Sequence, residues 1–504
     1  MTDQGRRKPL SVLAAAAGRT ITGETDPLIT EITYDSREVT PGALFAALRG
    51  GYVDGHAYIS EAVRRGAAAL LVEQAGEYGV PAIVVADTRA ALSPVAAAFF
   101  DHPSHELRVV GVTGTDGKTS TSTLAEAMLA RAGHRTGLIG TVSIKIGDNV
   151  LDHETRQTTP ESLEIQRLLR RMADAGVEWC VLEATSHGLA MHRLDDVRFA
   201  IAAVTNITHE HLDFHGSREA YVAAKTRLFE MTRRDGGRSV VNLDDDGARS
   251  VLAACDVERV MTYSLSDPDA DLYVDDISLN ISGFQGKLST PIGSVPVRSP
   301  LLGGFNVANS LCAAGIALSA GAAIEAIVDT LAEPPIIQGR MASVDEGQPF
   351  AVVVDYAHTP ASLEKVLTLL RSLNPTGRLI VVTGSAGERD VEKRPLQGAV
   401  CARLADLSVI TSEDPRYENP RAIIDAIAAG ARDSGAIDGS TLSCIVDRAE
   451  AVAFAIDQAR PGDTVLLAGK GHERSIIMNG SKIPWDEAGV ARAALRARFG
   501  SPSS

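Results

Sequence analysis

The stretch Val112-Thr113-Gly114-Thr115-Asp116-Gly117-Lys118-Thr119 decides the reading of this chain. It follows the apolar run Leu107-Arg108-Val109-Val110 and leads into the helix-like Ser120-Thr121-Ser122-Thr123-Leu124-Ala125-Glu126. A strand, a Gly-rich turn and a helix N-terminus in that order form a phosphate cradle, where backbone N–H groups and the helix dipole face an anion. Gly114, Thr115, Asp116, Gly117, Lys118, Thr119 and Ser120 are therefore the candidate triphosphate-binding residues. Lys118 supplies a mobile point charge, and the Thr119 hydroxyl suits Mg²⁺. The pattern departs from the usual loop in one respect. Four residues normally separate the first Gly from the Gly-Lys pair, but Gly111 lies one position too early and Val112 stands in its place. The rival reading is an ordinary Gly-rich turn between a strand and a helix.

With 504 residues, roughly three domains are expected. A hydrophobic share of 45% and a charged share of 22% describe a globular chain with ample core. The net charge of -15 argues against a general nucleic-acid binder, which needs a basic surface. The five Cys are scattered and form no C-x-x-C pair, as in reduced thiols rather than a disulfide frame or zinc site. The N-terminus is polar and basic, without the apolar core of a signal peptide. The Ala-rich run at 311–324 is too short and too Gly-broken to span a bilayer, and reads as a buried helix. A cytoplasmic protein without membrane insertion is expected, acting as a monomer.

Pattern separates three α/β segments, at 1–103, 104–336 and 337–504. The first holds short strands at 29–34, 70–72 and 83–85 and a helix near 61–65, and a polar linker at 101–105 follows. In the second, strands at 137–146, 179–183, 199–205 and 239–243 alternate with helices at 162–175 and 218–231, which predicts a parallel sheet. The run at 271–297 reads as an antiparallel insertion. In the third, strand cores at 351–355, 379–383, 407–411 and 464–468 alternate with helices at 360–373, 395–405, 421–432 and 448–460. That is a second, Rossmann-like doubly wound unit, whose ligands belong beyond the carboxyl ends of its strands.

Several constellations could carry chemistry. Glu183 ends a strand in the same sheet as the phosphate loop, where a Mg²⁺ ligand belongs; the rival role is a cap for the next helix. The loop Thr208-His209-Glu210-His211-Leu212-Asp213-Phe214-His215 holds three His, but their spacing matches no common closed zinc site. One His on Mg²⁺ is the more economical reading. Lys225 on a helix reads by pattern as a solvated side chain more often than a functional one. Asn306 and Asn309 precede or open an Ala-rich helix, and capping is the simpler role. Asp355, after a strand, could hold a ribose hydroxyl. Arg389, Arg416 and Glu473 leave three separate strands; on one sheet edge they would suit an amino acid, since Arg pairs bidentately with carboxylates.

Together these motifs resemble the Mur ligases, and within them the branch that adds the third amino acid to the peptidoglycan precursor. The resemblance spans nearly the whole chain. It rests on the 113–119 loop, Thr158-Thr159-Pro160, Thr185-Ser186-His187-Gly188-Leu189 and the 211–216 stretch. It extends through Phe305-Asn306 with Asn309, Gly339-Arg340-Met341, Asp355-Tyr356-Ala357-His358-Thr359-Pro360, Lys393-Arg394-Pro395 and Gly469-Lys470-Gly471-His472-Glu473. The resemblance implies a first domain gripping uridine diphosphate, with Ser36 and Arg37 among the contacts. It implies that Thr158, Thr159, Thr185 and Arg193 hold the muramyl-peptide. Lys118 and Thr119 would serve the phosphates. Thr119, Glu183, His211 and Lys225 would serve Mg²⁺, Lys225 as the carbamate formed in this family. Asn306, Arg340, Asp355 and His358 would contact ATP, and Arg389, Glu413, Asp414, Arg416, Gly469 and Glu473 the incoming amino acid.

The implied reaction is stepwise. The D-Glu carboxylate of UDP-MurNAc-L-Ala-D-Glu takes the γ-phosphoryl of ATP, and the amine of a diamino acid displaces phosphate from the acyl phosphate. Diaminopimelate-adding relatives usually read Asp-Asn-Pro-Arg where this chain has Glu413-Asp414-Pro415-Arg416. Arg416 suits the distal carboxylate of meso-diaminopimelate, whereas a carboxylate at 414 could favour the terminal ammonium of L-lysine or L-ornithine. Gln338 stands where Pro is common, and Met191 where some relatives have Gln. A divergent member acting on another amino acid is thus an alternative. A P-loop switch protein is the remote one, and no Asn-Lys-x-Asp guanine motif supports it.

Overall fold

The computed structural model describes residues 5–50, 53–151, 157–208, 210–337 and 339–500; Gln338 lies outside them. The chain forms two compact units. One comprises Met1–Asp275, Lys287–Pro296 and Ala308–Leu331, the other Asp276–Gly286, Val297–Val307 and Ala332–Ser504.

The first unit contains two α/β sheets. The five-stranded one runs in the order Ile21–Thr22, Ala82–Val84, Ala69–Val72, Ala43–Ala46 and Glu31–Thr33. Its inner pairs are parallel, and only the edge Ile21↔Ile83 pair is antiparallel. Leu10, Leu13, Leu44, Leu71, Ile83, Leu92, Val95 and Phe99 pack into one of its cores. The run expected as one strand at 29–34 is two strands in different sheets, separated at Thr30. Strand Ala43–Ala46 and helix Thr88–Phe99 were not legible, because both are too Ala-rich to show a period.

The larger sheet places strand Arg108–Thr113 between Trp179–Glu183 and Phe199–Val204, all parallel. From Arg108–Thr113 the chain crosses through helix Lys118–Arg131 to Thr136–Ile139 on one side. From Trp179–Glu183 it crosses to Phe199–Val204 on the other. Two neighbouring strands whose connections leave in opposite directions open a crevice at their carboxyl ends. The loop after Thr113 and the residue Glu183 both sit there, in register at Val112↔Glu183. The expected strand at 137–146 is instead Thr136–Ile139 folded back antiparallel on Ile144–Ile146. The insertion at 271–297 is three strands, Leu272–Asn280, Gly283–Thr290 and Gly293–Ser299, joined by two-residue turns. The Ala-rich run is not one helix: Gly304–Ser319 and Ile324–Ala332 break at Gly321, whose φ is +90°.

The second unit is built on a six-stranded sheet. Its order is Ala342–Ser343, Ala351–Asp355, Thr464–Ala468, Leu379–Thr383, Leu407–Ile410 and Leu442–Cys444. All pairs are parallel except the first. Strand Thr464–Ala468, last in sequence among the parallel strands, lies between the first two of them. That order brings the exits after 355, 468, 383 and 410 side by side. Among the described residues, no helix is long and apolar enough to cross a membrane.

Candidate functional site

The loop 114–117 is shaped for close backbone approach. Gly114 has φ +153°, and a Cβ there would lie 1.8 Å from the Thr205 hydroxyl. Gly117 has φ +86°, and its Cβ would lie 2.3 Å from Asn309 Oδ1. Both positions require glycine. Gly111 has a different role: it sits mid-strand, where a side chain would collide with Leu228 and Phe199. The loop is held from below by Asn206, whose carbonyl accepts from the Thr115 amide at 2.8 Å and whose Oδ1 accepts from the Asp116 amide at 3.0 Å.

Two lysine side-chain nitrogens converge on one carbonyl oxygen. Lys118 Nζ donates to Gly114 O at 2.9 Å and to Thr115 O at 2.9 Å. Lys225 Nζ donates to the same Gly114 O at 2.7 Å and lies 4.6 Å from the centre of the Tyr221 ring. Lys225 is 1% exposed, so the solvated reading of this helix residue is wrong. Burial holds its pKa well below the ordinary lysine value, and repulsion by Lys118 adds to the effect. Tyr221 shares a 2.9 Å hydrogen bond with the Thr115 hydroxyl. His211 stands beside the ring of His187, with centroids 4.6 Å apart, and 6.4 Å from that of Tyr221. His209 lies outside the described residues. Among the described residues no His, Cys, Asp and Glu cluster forms a ready metal cage.

Glu183 meets the first turn of the phosphate-loop helix. Its carboxylate accepts from the Thr119 hydroxyl at 3.1 Å, the Thr141 hydroxyl at 2.9 Å and the Thr141 amide at 2.9 Å. It does not cap the next helix; Thr185 does, accepting from the Gly188 amide. Thr158, Thr159, Thr185 and Arg193 gather around the same strand end. Thr159 donates to Glu183 O at 2.7 Å and accepts from the Thr185 hydroxyl at 2.9 Å. The Thr141 and Thr158 hydroxyls lie 3.0 Å apart, and Arg193 donates to Thr159 O at 2.8 Å. Arg193 also pairs with Glu161 at 2.9 Å. Ser120 is buried in the helix. Ser36 and Arg37 occupy a separate turn, Ser36–Glu38, where Arg37 pairs with Asp35 at 2.6 Å. Among the described residues no hydrogen bond links them to the Thr158–Arg193 group. Thr141 and Tyr221 were missed by sequence, since each acts through partners distant in the chain.

In the second unit, Asp355 is buried and its carboxylate accepts from the Met341 and Ala357 amides at 2.9 and 2.8 Å. Burial raises its pKa. Arg340 lies 5.3 Å from the Tyr356 ring, which also packs against His358 and His472. His358 is held below the usual imidazole pKa by burial. Asn306 is not a cap: it lies inside the first turn of helix Gly304–Ser319 and donates to Leu302 O at 2.9 Å. In the first unit, Asn309 lies further along this helix and accepts from the Thr121 hydroxyl at 3.4 Å.

The strand exits carry a charge cluster. Lys470, 0% exposed, donates to Asp414 at 2.8 Å and to Glu473 at 2.5 Å. Asp414 also accepts from the Ile477 amide at 2.9 Å. Glu413 is buried, its pKa raised by desolvation, and a Cβ on Gly469 would lie 3.1 Å from its carboxylate. Arg416 adopts φ +55°. Its amide donates to Ile477 O at 2.9 Å and its carbonyl accepts from the Asn479 amide at 2.7 Å. Arg416 Nε is buried without a hydrogen-bond partner. Arg389 is exposed, close enough to Lys393 to help lower its pKa. The structure thus joins Asp414 and Glu473 through Lys470, a residue sequence reading passed over, and leaves Arg389 outside that pair.

The model of the Mur ligase middle domain matches residues 112–317, that of the Mur ligase glutamate ligase domain residues 339–471, and that of the Mur ligase family catalytic domain residues 28–100. The chain is 48% identical over 486 residues to a UDP-N-acetylmuramyl-tripeptide synthetase of Roseiflexus sp. (strain RS-1), covering 93% of this chain and 95% of that one. It is 41% identical over 496 residues to a UDP-N-acetylmuramoyl-L-alanyl-D-glutamate–2,6-diaminopimelate ligase of Geobacillus kaustophilus, covering 97% and 100%. A solved structure of a ligase with that second name superposes with a TM-score of 0.68 at 33% identity, covering 93% of this chain and 95% of that one.

Proposed function

Because the chain belongs to the Mur ligase family, we propose that it joins meso-2,6-diaminopimelate to the D-Glu carboxylate of UDP-MurNAc-L-Ala-D-Glu. It is an ATP-dependent acid–amino-acid ligase of peptidoglycan precursor synthesis. The observation that carries the reading is the convergence of Lys118 and Lys225 on Gly114 O, with Thr119, the residue after Lys118, in contact with Glu183. The Lys118 cation, the buried Lys225 amine and a helix N-terminus converging on one loop suit a phosphoryl group in transfer.

The chemistry divides among the residues as follows. The loop amides and Lys118 neutralise the triphosphate while the substrate carboxylate takes its γ-phosphoryl. Thr158, Thr159, Thr185 and Arg193 orient the peptide end that carries this carboxylate, and orientation is the larger part of such catalysis. The amine of the incoming amino acid then attacks the acyl phosphate and expels phosphate. Thr119 and Glu183 present oxygens of the kind Mg²⁺ takes, with His211 as a further candidate, and the ion would offset phosphate charge. Lys225 fits the carbamate role because burial favours its neutral amine, the form that adds CO₂ and releases a proton. Ser36 and Arg37 are assigned to the uridine diphosphate.

In the other unit, Asn306, Arg340, Asp355 and His358 are assigned to ATP. Arg389, Glu413, Asp414, Arg416, Gly469 and Glu473 are assigned to the amino acid. The separate five-, eleven- and six-stranded sheets support domain boundaries at 1–103, 104–336 and 337–504. A cytoplasmic monomer without nucleic-acid partner is the corresponding cellular reading.

The test is phosphate release from ATP by the full chain with UDP-MurNAc-L-Ala-D-Glu and each of meso-diaminopimelate, L-lysine and L-ornithine, with product mass as a second readout. Release and an amide product with meso-diaminopimelate are expected. Release that needs no amino acid, or no amide with any of the three, would overturn the assignment.

A further inference from the structure

A carboxylate at 414 in place of the usual Asn raises a question of selectivity, and side chains distant in sequence answer it. Asp414 is 5% exposed. One of its oxygens, Oδ1, takes both the Lys470 ammonium at 2.8 Å and the Ile477 amide at 2.9 Å. Lys470 has no exposed surface and also holds Glu473, three residues on. The Asp414–Lys470–Glu473 cluster therefore carries a net charge of about -1, the charge an Asn at 414 would raise to about 0. A buried carboxylate already holding a protein ammonium is a poor receptor for a second ammonium, because its charge is spent nearby and its exchange would strand Lys470 without water. Arg416 differs: its Nε is buried with no hydrogen-bond partner, and its backbone is clamped on both sides by the 475–484 hairpin.

We propose that Lys470 is a positioning residue for amino-acid selectivity: it withdraws the Asp414 carboxylate from the incoming amino acid, so that Arg416 selects a substrate with a second carboxylate over one ending in an ammonium. The inference rests on the ligase reading above and adds a residue to it. It separates two effects of a negative residue at 414. The formal charge is present, but the Lys470 ammonium offsets it from within the protein.

The test compares kcat/KM for meso-diaminopimelate and L-lysine in the full chain and three variants. The wild type is expected to prefer meso-diaminopimelate. Lys470→Met leaves the cluster near -2, and the preference falls by at least about tenfold, the scale of one charge–charge interaction in a partly buried site. Lys470→Met with Asp414→Asn restores the charge to about -1 and returns the preference to within about threefold of wild type. Asp414→Asn alone brings the cluster to about 0 and moves the preference the other way, toward meso-diaminopimelate. A merely structural lysine would lower both rates and leave their ratio fixed in every variant, which would overturn the proposal. So would a fall of the ratio in Asp414→Asn alone; if Lys470→Met does not fold, Lys470→Gln, which keeps a hydrogen-bond donor without the charge, decides the matter by the same ratio. A wild type that prefers L-lysine overturns the inference but keeps the ligase; a wild type that makes no amide overturns the ligase reading itself.

Discussion

The chain buries two lysines almost completely and treats them in opposite ways. Lys225, 1% exposed, faces a carbonyl, an aromatic ring and the field of another lysine. Lys470, 0% exposed, faces two carboxylates. Burial without a bonded carboxylate favours the neutral form of a lysine, whereas a bonded carboxylate favours the charged form. The first arrangement makes a nucleophilic amine beside a phosphate loop. The second ties Asp414 and Glu473 to one side chain. Lysine type and helix or loop location say nothing of this difference; the neighbours decide it.

Replacing the amine breaks the comparison most severely. Lys225→Ala is expected to lower kcat by about 10²–10³-fold, the scale of losing one preorganised electrostatic group. Formate or acetate should restore part of it by filling the vacated space with a carboxylate, as measured by phosphate release across a titration of the acid. Full activity without added acid would remove Lys225 from the mechanism.

On the paired side, Arg416→Ala should cut kcat/KM for meso-diaminopimelate by about 10–100-fold, as expected for a charged hydrogen bond of about 1.5–3 kcal/mol. The loss for L-lysine should be smaller. Equal losses for both amino acids would show that Arg416 does not read the distal carboxylate.

A buried carboxyl sharpens the same rule with the sign reversed and the smallest effect. Glu164 has one oxygen without a hydrogen-bond partner, and burial raises its pKa to about 7 despite Arg167 at 3.9 Å. Folding therefore takes up a proton between pH 4.5 and about 7, and this group lowers stability as pH rises through that window. Glu164→Gln should melt a little higher than wild type at pH 8, with the difference closing toward pH 4.5. A variant that melts lower at pH 8 would show that the ionised Glu164 is well paired.

Much of this was legible from the sequence. Strands Ala351–Asp355, Leu379–Thr383 and Thr464–Ala468 fall where their apolar cores placed them, because parallel strands buried on both faces read as continuous runs. The phosphate loop and Glu183 share one crevice, as the order strand, turn and helix requires. The Thr158, Thr159, Thr185 and Arg193 group was named from motifs, and the structure supplies the hydrogen bonds that join it. What escaped depended on distance along the chain. Lys470 sits in a visible Gly-Lys-Gly motif, but its partner Asp414 is 56 residues away. Asn306 and Asn309 looked like caps because their helix begins at Gly304, earlier than its Ala-rich core suggests. Lys225 read as solvated because burial of a helix face depends on the strands it packs against, and here those are Phe199–Val204, Arg238–Asn242 and Arg108–Thr113.

The most direct measurement is ¹³C NMR of the full chain equilibrated with ¹³C-bicarbonate, in the wild type, Lys225→Met and Lys470→Met. A neutral, buried Lys225 beside the loop predicts one protein-bound carbamate signal, lost in Lys225→Met and kept in Lys470→Met. A signal that survives Lys225→Met, or none in the wild type, would contradict the distinction drawn between the two lysines.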